Sequence, residues 1–299
     1  MEFDNSWSAL SRPGEASDYF DLEIPEGINV NTAEYSPANA WWLAELSRLI
    51  YRADGEATER EGPGGKVSNC KDILAQVNLH ELFSFSDRGI LGSVIVPEET
   101  GRDQFAVLVF RGTTSLRNWL QNLQSLRRNW PQGGLVHRGF DAALYYVWER
   151  LSSQLGSIRG PLFYTGHSLG GALATLAASL KPPHAVYTFG SPRVGDAEFV
   201  DHLRDVCIYR VVNHADLCTR VPLSSRPMSF RHSGELHYIG RDNRVVVQPD
   251  AAHLAADRRK RRPSSDPVAK RRWSDPPECL ADHAPVNYVA HLERQLERR

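Results

Sequence analysis

The stretch that most constrains this chain is Gly166-His167-Ser168-Leu169-Gly170, which has the form G-x-S-x-G. By itself the pattern is common. Here the apolar run Pro161-Leu162-Phe163-Tyr164 leads into it and the Ala/Leu-rich run Ala172 to Leu180 leads out, so it reads as a tight turn from strand to helix. Such a turn holds its serine in a strained backbone conformation with the hydroxyl presented at the top of a sheet. Small residues at Gly166 and Gly170 let strand and helix approach without a side chain between them. Ser168 is therefore the candidate nucleophile, set against the plainer reading of a glycine-rich turn that only packs a helix onto a sheet.

The surrounding pattern supports a sheet of the right kind. Phe105 to Phe110 is continuously apolar, as expected of a central strand buried on both faces. Strand-like runs near 162–165, 185–189 and 207–212 alternate with helical stretches near 139–155, 169–180 and 196–205. That alternation predicts an α/β protein with a mostly parallel central sheet and helices on both faces. Upstream, Glu81–Phe85 and Ile90–Val96 flank Ser86-Asp87-Arg88-Gly89 and read as a hairpin. Ser36-Pro37 opens a helix over 38–52 with Trp42, Leu46, Leu49 and Ile50 on one face, and a short helix is expected over 72–79. Residues 54–65 read as a polar loop. Residues 1–35 read as an N-terminal arm, and 36–299 as one domain.

Two features lie just beyond the central strand. Arg111-Gly112-Thr113-Thr114-Ser115 occupies the loop that supplies one oxyanion donor in hydrolases built this way, and the residue after the nucleophile supplies the other. Thr113 and the backbone N–H of Leu169 fill those places, the alternative being a simple turn and helix cap. Losing one such donor costs about 3 kcal/mol of transition-state stabilisation. Next, Leu116, Trp119, Leu120 and Leu123 repeat at helical spacing with polar residues between them. They predict an amphipathic helix, either packed on the core or acting as a lid that turns outward on lipid.

Four segments in order, Phe110-Arg111-Gly112-Thr113, Val136-His137-Arg138-Gly139-Phe140, Thr165 to Ala172 and Thr188 to Gly195, carry a resemblance to the class 3 (fungal-type) lipases of the α/β-hydrolase superfamily. The resemblance spans roughly residues 36 to 295. It implies an α/β-hydrolase fold, hydrolysis of acylglycerols or other carboxylic esters through an acyl-enzyme, and the lid interpretation.

A serine hydroxyl needs an imidazole to take its proton and a carboxylate to orient that imidazole, and in this fold the acid and the histidine follow the serine in that order. Asp216 lies just past the strand-like run Ile208–Val212, and the resemblance places the triad acid in this segment. Asp196, Asp201 and Asp205 read instead as a helix cap and solvated positions. Eleven histidines compete for the base. His283 matches the family's Asp-His segment ahead of the final helix, with His253 and His232, which lies in the strand-like run Phe230 to Gly234, as alternatives. His167 is expected to pack inside, His137 to be structural, and His214 precedes Asp216, against the expected order. The chemistry calls for no metal and no cofactor.

Between Val247 and Cys279 the chain departs from the family. Residues 249–276 read as a loop insertion carrying Arg258-Arg259-Lys260-Arg261-Arg262 and Lys270-Arg271-Arg272-Trp273. A solvated loop is the plain reading; docking on an anionic membrane, which would suit a phospholipase A, is the sharper one. The formal net charge of −1 offers no global field for nucleic acid, and none is expected as a partner. The expected partner is a lipid or other ester, with transient lipid-interface contact through lid and basic loop; oligomeric state is not legible. The remaining rivals are a lidless short-chain esterase and an inactive hydrolase-fold adaptor for membrane or nucleic acid. No apolar run is long enough to span a membrane, Met1-Glu2-Phe3-Asp4-Asn5 does not read as a secretory signal, and the default location is cytoplasmic. The four scattered cysteines predict free thiols rather than a disulfide framework or zinc site.

Overall fold

The computed structural model describes residues 1–11, 18–20, 27–53, 70–98, 104–114, 126–224, 229–260 and 275–297. The amphipathic helix expected over 116–124, the loop 54–65 and the second basic cluster at 270–273 lie outside the described residues, as do Arg261 and Arg262 of the first.

Among the described residues eight strands form one sheet: β1 (Leu79–Asp87), β2 (Ile90–Pro97), β3 (Ala106–Phe110), β6 (Leu162–His167), β7 (Ala185–Phe189), β8 (Ile208–Asn213), β9 (Glu235–Ile239) and β10 (Val245–Val247), adjacent in that order. Strands β4 (Arg127–Asn129) and β5 (Leu135–His137) make a separate antiparallel ribbon. From β3 to β9 the pairing is parallel, with Val107 beside Phe163, Thr165 beside Tyr187 and Phe189 beside Val211; the outer pairs are antiparallel. The five residues of β3 are all buried, as their unbroken apolar run requires.

Helices cover both faces. On one side α1 (Pro37–Leu49) and the C-terminal α8 (Pro285–Glu297) pack on the sheet through Leu43, Leu46, Phe163, Tyr187 and Tyr288. Ser36 caps α1 by accepting the Asn39 N–H, with Pro37 at its first position. On the other side α3 (Arg138–Leu155) and α4 (Leu169–Leu180) bury Phe140, Leu144, Leu151, Leu173 and Leu176 against Leu108 and Tyr164. Beneath α1, Glu45 and Arg48 form a fully buried ion pair at 2.7 Å, with the guanidinium 3.7 Å over the Tyr19 ring.

Three expectations differ. The helix foreseen over 72–79 is α2 (Cys70–Ala75), and β1 already begins at Leu79. The strand-like run at 230–234 makes only an isolated bridge, Gly195 to Arg231; the true strand β9 starts at Glu235. Its alternating Glu235 and His237 disguise an edge-proximal strand whose inner neighbours Tyr238 and Ile239 are buried. Part of the loop insertion expected at 249–276 is instead an exposed helix, α6 (Ala251–Arg259), capped by Asp250. The described parts of the arm are docked: Ala9 and Leu10 pack on Ala284 and Val286, and Asp4 N–H donates to Asn287.

Candidate active site

Chain geometry at the β6–α4 turn follows from its glycines. A Cβ on Gly166 would stand 2.3 Å from the Gly170 backbone, and one on Gly170 would stand 2.1 Å from the Phe110 carbonyl oxygen. Only glycine fits either place. Between them Ser168 is held at φ 58°, ψ −126°, a region costly for any residue with a side chain. Its carbonyl accepts the Gly171 N–H, and Leu169 opens α4, so the Leu169 amide belongs to the first turn, which has no acceptor within its own helix. The loop after β3 reaches the same point: a Cβ on Gly112 would lie 3.2 Å from Ser168 Cβ. Thr113 follows directly, partly buried.

Asp216 and His283 come from two other segments. Asp216 lies three residues beyond the end of β8, and His283 lies between α7 (Glu278–Ala281) and α8. His283 Nδ1–H donates to both Asp216 carboxylate oxygens, at 2.9 and 3.0 Å. Ser168, Asp216 and His283 are all essentially buried. Burial pulls the His283 pKa down most strongly, but the Asp216 carboxylate and then Cys218 push it up, for a net rise to about 10. Its Nε2 makes no hydrogen bond among the described residues.

Several residues that the sequence did not single out complete this arrangement. Tyr288 Oη donates to Asp216 Oδ2 at 2.6 Å and accepts the Asn213 N–H at 3.0 Å. The Cys218 N–H donates to Asp216 Oδ1 at 2.8 Å. Gly190, at φ 61°, leaves room for the pair: a Cβ there would stand 2.7 Å from Asp216 Oδ2 and 2.9 Å from His283 Nδ1. The Cys218 thiol itself lies 3.8 Å from Ser168 Oγ. Only Gly190, within Thr188 to Gly195, lay in a quoted segment; nothing in spacing marked Tyr288 or Cys218.

The competing histidines are accounted for elsewhere. His167 Nε2–H donates to the His283 carbonyl at 2.7 Å, so its Nδ1 accepts the Tyr51 hydroxyl at 2.8 Å, and burial holds its pKa well below the usual value. It is an internal strut for the base. His137 caps α3, His232 bonds the Thr219 carbonyl, and His253 is exposed on α6. His214 bonds Asp282 at 3.2 Å, and Asn213 Nδ2–H donates to the Asp282 carbonyl at 3.0 Å. Together they tie the segment of Asp216 to that of His283. A cleft of about 730 Å³ along α3, lined by residues including Trp130, Tyr145 and Trp148, touches none of the three.

A strained serine at a strand-to-helix turn, on a mostly parallel sheet with helices on both faces, is the architecture of the α/β-hydrolase fold. Comparison with known proteins carries this one step further. The profile of the family described as lipase (class 3) matches residues 107–225. The chain is 33% identical over 159 residues to a lipase of Rhizomucor miehei, covering 47% of this chain and 43% of that protein. It is 28% identical over 233 residues to the secreted mono- and diacylglycerol lipase A of Penicillium cyclopium, covering 73% and 75%. A crystal structure of a mono- and diacylglycerol lipase from Aspergillus oryzae superposes with a TM-score of 0.59 at 23% identity, over 73% of this chain and 87% of that one. The chain is thus similar to the class 3 lipases over residues 107–225, less than half of its length. It spans less than half of the Rhizomucor protein's length. No helix among the described residues is long and apolar enough to cross a membrane. The Penicillium relative is secreted by name.

Proposed function

We propose that Ser168, His283 and Asp216 act as nucleophile, base and acid in the hydrolysis of acylglycerol esters. The observation that carries this is the strained Ser168 turn in the same buried centre as the His283–Asp216 pair. His283 Nε2, in its neutral form, takes the hydroxyl proton as Ser168 Oγ attacks the ester carbonyl. Asp216, fixed by Tyr288 and the Cys218 N–H, holds Nδ1–H and stabilises the imidazolium. The Leu169 N–H and Thr113 receive the oxyanion. His283 then gives its proton to the departing glycerol oxygen. Water attacks the acyl-serine by the same route and releases the fatty acid.

Acylglycerol as substrate follows the named activities of the Rhizomucor and Penicillium relatives. The apolar repeat Leu116, Trp119, Leu120 and Leu123 suits a lid that opens on lipid. A phospholipase reading is favoured by exposed Arg259 and Lys260 at the end of α6.

The test compares wild type and Ser168→Ala on short- and long-chain glycerides and on phosphatidylcholine, below and above each substrate's solubility limit. A rate that jumps at the interface on glycerides and vanishes in the variant is expected. Activity that survives Ser168→Ala would overturn the assignment, and turnover confined to phospholipid would select the second reading.

A further inference from the structure

The Cys218 thiol, unlike the backbone N–H of the same residue, has no part in the chemistry above, yet its sulfur lies inside the proposed catalytic centre. It is 1% exposed, lies 3.8 Å from Ser168 Oγ, and packs on its far side against Ala9, Leu10, Ala284 and Val286. A carboxylate oxygen of Asp216, the sulfur of Cys218 and a ring nitrogen of His283 lie within 4.8 Å of one another. His283 Nε2 is buried and has no hydrogen-bond partner among the described residues, while Nδ1 is held by Asp216. A thiolate, an imidazole nitrogen and a carboxylate behind that imidazole are the parts of a site for a borderline-soft cation. The carboxylate–histidine arrangement is the one that orients metal-binding imidazoles.

We propose that the catalytic centre is also an inhibitory zinc site, with Cys218 Sγ and His283 Nε2 as ligands and Ser168 Oγ beside them. Zinc bonds sulfur at about 2.3 Å and imidazole nitrogen at about 2.0 Å, so ligands that lie within 4.8 Å of one another draw together around it. Binding expels the thiol proton of Cys218, and the proton of His283 where it is charged. Zinc affinity therefore rises with pH. Bound zinc takes the lone pair that would accept the Ser168 proton, so the loaded enzyme cannot start the reaction. Calcium and magnesium prefer all-oxygen ligands and do not compete.

This inference rests on the triad reading above, and its test has one arm that does not. Esterase rates of wild type, Cys218→Ser and Cys218→Val are titrated with zinc chloride using a soluble short-chain ester. Wild type is expected to be inhibited at micromolar zinc and restored by EDTA. Both variants should need at least tenfold more zinc, while calcium and magnesium leave wild type untouched. Cys70, Cys207 and Cys279 remain in every protein, so capture by thiols elsewhere would inhibit all three alike. Equal midpoints, or a wild type indifferent to zinc, would overturn the proposal. In the second arm cobalt(II) is added and the thiolate charge-transfer absorption is read, without any turnover. A band in wild type that is lost in Cys218→Ser is expected. Wild type without the band rejects the site even if both variants fail to fold. Should Ser168→Ala keep its esterase activity while the cobalt band persists, the triad reading fails and the metal site stands.

Discussion

Replacing Gly190 by alanine adds one methyl group and removes no functional atom, so its effect reports purely on the geometry of the base. In the native backbone that methyl carbon would lie 2.7 Å from Asp216 Oδ2 and 2.9 Å from His283 Nδ1, where ordinary contact begins at 3.4 Å. The carboxylate must therefore retreat by about 0.7 Å, or the backbone must leave φ 61°. Neither is easy. Asp216 is pinned by Tyr288, the Cys218 N–H and His283. An alanine held at positive φ costs about 1–2 kcal/mol. Misplacing a reacting group by an ångström costs on the order of a hundredfold in rate. Gly190→Ala is therefore expected to lower kcat about 10- to 100-fold on a soluble ester, and to lower Tm by several degrees. The control is Gly27→Ala, where a Cβ meets nothing within 4 Å and both quantities should hold. The assay is initial rate against substrate concentration, with thermal unfolding on the same samples. A Gly190→Ala enzyme within twofold of wild type would refute the claim that this glycine keeps space for the acid–base pair.

Three further outcomes are expected. His283 must be neutral to act as a base, and its folded pKa is raised above the ordinary 6.5, so the acid limb of kcat/KM for a soluble ester should lie above pH 6.5. By linkage the charged His283–Asp216 pair stabilises the fold fully below about 6.5, and that contribution is lost as pH rises toward about 10; a limb at or below 6.5 would contradict both statements. Tyr288→Phe removes a hydrogen bond to a buried carboxylate, a loss of about 1.5–3 kcal/mol. If the carboxylate depends on it, kcat drops roughly tenfold with the acid limb moved upward, whereas unchanged kinetics would show that the other two donors suffice. Arg48→Met leaves Glu45 buried without its partner, and denaturant unfolding should show a loss of about 3–5 kcal/mol; a change under 1 kcal/mol would mean that Glu45 is readily neutralised.

How much of this was legible depended on whether a residue's role is local. Ser168 announces itself because strand, turn and helix are contiguous, and Phe105–Phe110 because burial on both faces forces an unbroken apolar run. Asp216 and His283 were reached through chain order and family likeness rather than through any local pattern. Tyr288 reads as one more apolar position on an amphipathic helix. Only the fold turns its hydroxyl onto a carboxylate 72 positions earlier. Gly190 looks like any turn glycine, since the groups it spares belong to other segments. Strand β9 was missed for a related reason: polar Glu235 and His237 conceal a neighbour-dependent strand. The arm was read from its polar composition, but a few apolar residues, Ala9 and Leu10 among them, are enough to seat it.

The contact between His167 and the His283 carbonyl joins residues 116 positions apart, and that between Asp4 and Asn287 joins residues 283 apart. Closing such long loops is entropically slow, and little else rewards it until the sheet exists. The centre should therefore be among the last parts of the molecule to form. During refolding, recovered esterase activity would trail recovered helical signal, and on a ribosome the base would join its nucleophile only after the final helix had emerged.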